Sequence, residues 1–98
     1  MADYVLSNAA DGDLAEIYVY SFRSFGEAQA DAYCHDLSGC LRMLADNPRL
    51  GRPSGLSRQG LLRHAHAAHV IYYLIDDTGI FVVRVLHHSV DSERHFQS

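Results

Sequence analysis

Residues 69–96, HVIYYLIDDTGIFVVRVLHHSVDSERHF, decide how this chain is built. His69–Asp76 and Ile80–His88 are rich in Val, Ile and Tyr. Asp77-Thr78-Gly79 between them offers a tight turn whose Gly can take the left-handed conformation. Two antiparallel strands are therefore expected, ending in Arg and His side chains where the sheet runs out. Immediately upstream, Leu61–His66 reads as a third strand, joined to the second through His66-Ala67-Ala68-His69.

Working outward, Tyr4-Val5-Leu6 is a short strand, and Ser7 or Asn8 can cap a following helix. Ala10, Leu14, Ile17, Tyr18 and Ser21 recur at helical spacing, which predicts a helix from about Ala9 to Ser24. Phe25-Gly26 breaks it. A second periodic run, Ala30, Tyr33, Leu37, Cys40, Leu41 and Leu44, ends at Asn47-Pro48, because the residue before proline is pushed out of the α region. So short a connection permits only an antiparallel helical hairpin. Residues 47–60, NPRLGRPSGLSRQG, read as a surface loop whose three arginines are open to binding. The expected class is α+β in the order β-α-α-β-β-β: an N-terminal strand and an antiparallel two-helix hairpin packed on a mainly antiparallel sheet. A single domain over residues 1–98 suits this length.

Charge is unevenly spread. Residues 1–47 hold two Arg against eight acids and residues 48–98 six Arg against four, giving −6 and +2 and a net −4. Every basic residue other than His is Arg, with no Lys. Genome base composition is the plain explanation; the functional one is that Arg favours bidentate contact with an acidic partner docking on the second half. Cys34 and Cys40 lie too far apart along one helix to bridge, so free thiols are expected. With no secretory segment and no apolar run of about 20 residues, the expectation is a soluble protein of a reducing cytoplasm without membrane contact.

Register turns the outline into chemistry. Placing Asp76 opposite Ile80 pairs Tyr72 with Arg84 and His69 with His87, and the preceding turn pairs Arg63 with Tyr72. One face then carries Arg63, Tyr72 and Arg84; the other carries His66, His69 and His87. Two guanidiniums on an apolar sheet face need an anion, an acid or a ring between them, or else local carboxylates such as Asp76 and Glu93. Three histidines without a Cys or carboxylate at ligand spacing are no zinc signature. His87 and His88, as strand neighbours, should point to opposite faces, and His64 should sit on the rim. Cys34 and His35, adjacent on a helix, do not face each other. In the tail, Asp91, Glu93, Arg94 and His95 suit a local turn pinned by an Arg–acid pair. No phosphate-binding or nucleophile motif is present, and neither a cofactor nor a metal is expected.

Across nearly the whole chain, Tyr4-x-Leu6-Ser7, Asp13-Leu14-x-x-Ile17-x-x-Tyr20, Phe25-Gly26 with Gln29-Ala30-x-x-Tyr33, Asn47-Pro48-x-Leu50-Gly51-Arg52, His69-Val70-Ile71-Tyr72-Tyr73 and Val85-Leu86-His87-x-x-x-Asp91-x-x-Arg94-His95 follow in an order that resembles the ParE toxins of the RelE/ParE superfamily. Ala67-Ala68 departs from it, standing where the family often carries Gly with a basic or polar residue. The resemblance implies a bacterial type II toxin that inhibits DNA gyrase by binding, without catalysis, and is held inactive in a hetero-oligomer with a ParD-type antitoxin. Arg63, Tyr72, Arg84, His87, His88, Arg94 and His95 are the expected target-binding surface. Tyr18, Tyr20 and Phe22 exceed what one core-facing stripe can bury, and with Arg49, Arg52 and Arg58 they are the expected antitoxin surface. Two other functions are open: ribosome-dependent cleavage of messenger RNA, as in RelE-type members, or a degenerate, non-toxic antitoxin-binding module. A Lys-free, net-acidic chain suits direct binding to nucleic acid poorly.

Overall fold

A computed structural model describes residues 3–96. Strand β1 (Asp3–Leu6) leads directly into helix α1 (Asn8–Phe25). Ser7 makes the junction. Its Oγ accepts the Ala10 N–H at 2.9 Å, capping the helix, and donates to the Val83 carbonyl at 2.7 Å, tying that cap to the sheet. Gly26, at φ 90°, is all that separates α1 from helix α2 (Glu27–Asp46). A left-handed residue there reverses the chain at once, so the helices pair as the expected hairpin, with bounds within one residue for α1. After Asn47 a 3₁₀ turn spans Pro48–Leu50.

The sheet has five strands in the order β1-β5-β4-β3-β2. These are β2 (Arg52–Pro53), β3 (Leu62–His66), β4 (His69–Ile75) and β5 (Gly79–His87), all antiparallel to their neighbours except that β1 runs parallel to β5. The mainly antiparallel α+β architecture is as expected, with two additions. Strand β2 lies inside what reads as plain loop; it is two residues long, contains Pro53, and exists because β3 offers it an edge. The tail forms helix α3 (Ser92–Phe96), too short to be stable alone. Among the described residues no Arg–acid pair pins it: Tyr72 Oη donates to Ser92 Oγ at 2.6 Å, and the Phe96 ring lies 5.1 Å from that of Tyr72.

Both sheet faces are covered. Ala10 and Ile17 of α1, with Leu37, Cys40, Leu41 and Leu44 of α2, pack on Ile71, Tyr73, Ile80, Val82 and Val85. The opposite face gathers Leu61, Val70, Tyr72, Val83 and Leu86 beneath Leu56 and Phe96. Alternation along β4 sorts its residues cleanly, but β5 changes parity. Ile80 and Val82 face the helices, and so does Val85. An irregularity opposite Tyr72/Tyr73 causes the change. The turn closes with Ile75 opposite Ile80, where Asp76 was expected, and the bulge then restores the register to Tyr72↔Arg84 and His69↔His87. Two one-residue offsets cancel, so the expected rows form by a different route. Arg63↔Tyr72 and His66↔His69 pair as read, with Ala67 at φ 50° in the turn.

Two close approaches lock this arrangement. Tyr73 Oη donates to the Pro48 carbonyl at 2.6 Å and accepts the Gly51 N–H at 2.9 Å, and a Cβ on Gly51 would collide with that hydroxyl. Gly79, at φ 151°, lies against the backbone of Asp3, where any Cβ would overlap the Asp3 carbonyl.

Candidate functional site

Strand β1 covers β5 only as far as Val82. Beyond that point the edge of β5 is open, and Asp13 of α1 occupies it. Asp13 Oδ2 accepts the Val85 backbone N–H at 3.0 Å and Arg84 Nε at 2.8 Å, while Oδ1 accepts Arg84 Nη2 at 2.7 Å. This side-on fork pairs two charges that are only 22% and 10% exposed. Hydrogen bonding to Asp13 raises the Arg84 pKa above its ordinary value despite partial burial. Arg84 is thus neutralised by a residue seventy-one positions away, not by Asp76 or Glu93. The sequence does carry a signal for Asp13: it stands on the buried stripe of α1 with Ala10, Ile17 and Ser21, where a carboxylate needs a partner.

The Arg63/Tyr72/Arg84 row is therefore not a pair of free cations around a phenol. Tyr72 is 3% exposed, its hydroxyl held by Ser92. Arg63 stands half-buried opposite Arg52 of β2. Arg49, Arg52 and Arg58 are exposed, as are Arg94 and His95 of α3. A second link between tail and sheet, besides Tyr72 with Ser92 and Phe96, runs from Arg84 Nη1 to His95 Nδ1, at 3.4 Å.

The histidine row does form, and it includes a phenol from α2. Tyr33 Oη lies 2.6 Å from His69 Nδ1, the His66 ring is 6.1 Å from that of Tyr33, and His87 meets His69 edge-on at 5.5 Å. Burial, reinforced by His87, His66 and His88, pushes the His69 pKa below its ordinary value. His88 corrects the expectation of opposed side chains. Strand β5 ends at His87, alternation lapses in the turn that follows, and the two rings stack 4.4 Å apart. Among the described residues, no three His, Cys, Asp or Glu side chains gather as a metal site. His64 is half-buried, and Cys34 and Cys40 are free thiols.

On α1, Tyr18 is half-buried with its hydroxyl on Asp31, at 2.9 Å. Tyr20 is 67% and Phe22 48% exposed, and Val19 and Phe25 extend the apolar surface. Tyr20 also lines a cleft of about 450 Å³ together with Ile17, Arg84, Leu86, His87 and His95. Tyr20 and the basic strand end, separate in the sequence, thus meet along one groove, whereas Tyr18 and Phe22 pair with each other on a different side of α1.

Comparison with known proteins places this geometry. Residues 4–91 match the family described as ParE toxin of type II toxin-antitoxin system, parDE. Toxin ParE1 of Caulobacter vibrioides is 35% identical over 95 residues, which cover 97% of this chain and 98% of that protein. Toxin ParE1 of Mycobacterium tuberculosis is 36% identical over 92 residues, or 93% and 94% of the two chains. A solved chain from the chromosomal ParDE TA system of P. aeruginosa shares the fold with a TM-score of 0.77 at 19% identity, over 89% of this chain and 96% of that one. Another, from the toxin-antitoxin complex RelBE2 of Mycobacterium tuberculosis, superimposes with a TM-score of 0.60 at 22% identity, over 89% and 98%. The fold is that of the RelE/ParE superfamily of toxins. Within it, the chain belongs to the ParE toxin family of type II toxin-antitoxin systems. No helix among the described residues is long and apolar enough to cross a membrane.

Proposed function

We propose that this chain, acting as a single domain, inhibits DNA gyrase by binding and performs no covalent chemistry of its own. In this reading it works in the cytoplasm and is silenced there by a ParD-type antitoxin in a hetero-oligomer. The observation that carries the choice of binding over RNA cleavage is the Arg84–Asp13 pair. Cleaving a phosphodiester calls for free cations to stabilise the charge of the transition state. Here the Lys-free chain has committed the arginine at its strand end to a carboxylate. What remains outward there is the rim of a docking surface.

The target-binding surface is formed by Arg63, His87, His88, Arg94 and His95, with the outer Nη1 edge of Arg84. Tyr72 supports it from beneath by holding α3. Antitoxin contact falls to Tyr20 on one side of α1, to Phe22 packed on Tyr18 on the other, and to Arg49, Arg52 and Arg58. A segment folding over these rings gains apolar contact that offsets the cost of its own ordering.

A supercoiling assay with purified gyrase tests the function. The expected result is inhibition by the free chain and recovery when antitoxin is added in stoichiometric amount. Gyrase left fully active, while messenger RNA is cut on translating ribosomes, overturns this reading in favour of the RelE-type activity.

A further inference from the structure

Between Asp46 and Asp76 the chain contains no acidic residue, yet it carries Arg49, Arg52, Arg58 and Arg63. The fold places this stretch along one edge of the sheet: the 3₁₀ turn, β2, its loop and β3. Register adds a sharper fact. Arg52 and Arg63 are direct cross-strand partners, so both side chains rise from the same sheet face with Cβ atoms about 5 Å apart. Like charges in that position destabilise a sheet. Among the described residues the one ion pair is Arg84–Asp13, and no carboxylate is hydrogen-bonded to Arg52 or Arg63. The edge therefore carries a repulsion that an external anion would relieve.

From this we infer that Arg52 and Arg63 form a clamp for one carboxylate of an acidic antitoxin segment that runs along the β2–β3 edge. The inference rests on the antitoxin reading above and moves Arg63 from the target surface to the antitoxin surface. Charge selects the occupant. A second copy of this chain, pairing edge to edge, would set arginine against arginine. A nucleic acid, as an extended polyanion, would meet the repulsion of a chain with net charge −4. A short acidic peptide segment feels mainly the local arginines, and two adjacent guanidiniums match the two oxygens of one carboxylate.

The test uses the full chain and the ParD-type antitoxin encoded beside it, with affinity measured across a salt series. Arg52→Gln and Arg63→Gln should each weaken binding about tenfold and lower its salt dependence. The double variant should lose less than the product of the two, because both grip the same group. Arg42→Gln, on α2 and over the Tyr4 ring, should change nothing. Loss of the like-charge pair should leave the melting temperature of the free variants equal to or above that of the wild type, which separates lost binding from lost folding. Affinity and salt slope within twofold of wild type in both single variants overturn the clamp while leaving antitoxin binding intact. Failure of the wild-type chain to bind the antitoxin defeats the underlying reading and the clamp with it. Unchanged antitoxin binding, with labelled duplex DNA bound by the wild type and released by the variants, overturns the clamp in favour of a nucleic-acid contact.

Discussion

Asp13 shows how one side chain can complete a strand edge. Its carboxylate takes the place of the β1 backbone, whose pairing ends at Val82, and in doing so neutralises Arg84. Asp13→Ala leaves a partly buried guanidinium and the Val85 N–H without partners, so urea denaturation should show a loss of about 3 kcal/mol. Asp13→Leu combined with Arg84→Met should regain only part of that, since the Val85 N–H stays unsatisfied. His69 makes a different prediction. Its folded pKa lies below the ordinary value of 6.5, so as pH falls through that value the unfolded chain takes up a proton before the folded one does. Stability then declines from neutral pH downward and levels off below the folded pKa. Melting temperatures between about pH 7.5 and about pH 5.5 should fall further for wild type than for His69→Gln; equal slopes would remove His69 as the cause.

At the scale of elements, β1 and α3 are the parts that depend most on tertiary contact. Strand β1 lies at a sheet edge, held along Gly79–Val82 by parallel pairing that requires Gly79 to have no side chain. Gly79→Ala combines an overlap with Asp3 and a strained backbone, and about 2–4 kcal/mol of destabilisation is expected, with early loss of amide protection in residues 3–6 on hydrogen exchange. Helix α3 is anchored by Phe96 on Tyr72 and by Ser92. Phe96→Ala should release α3, exposing Val70 and Leu86 and lowering stability by about 2 kcal/mol. Strand alternation gives the sorting of Ile71 and Tyr73 from Val70 and Tyr72, and helical spacing gives the buried faces of α1 and α2. The bulge in β5 carries no such local mark: it follows from how the turn closes at Ile75 and Ile80 and where Tyr72 must pack.

For the whole molecule, the point of consequence is that surfaces distant in sequence converge. Tyr20 from α1 lines the same cleft as Arg84, His87 and His95. Tyr20→Glu, exposed and without a hydrogen-bond role among the described residues, should fold normally and weaken antitoxin binding by at least tenfold, as measured by calorimetry. Unchanged affinity would place the antitoxin elsewhere. An antitoxin seated on Tyr20 would also cover the strand end, so neutralisation and target contact should exclude each other in a three-component binding assay.

By itself the sequence determined the order of the main elements, all but β2 and α3, because capping by Ser7, the break at Gly26, the stop at Pro48 and the Asp77-Thr78-Gly79 turn are local physics. It also determined which residues share a face wherever alternation runs unbroken. Only the tertiary structure decided which cations are free. Arg84 finds its acid across the open edge of β5, Arg52 finds Arg63 through a two-residue strand, and His88 swings onto His87 once the strand has ended. A charge is neutralised or left open by whatever packs beside it in space, and for these residues that neighbour comes from another element or from beyond the end of regular structure.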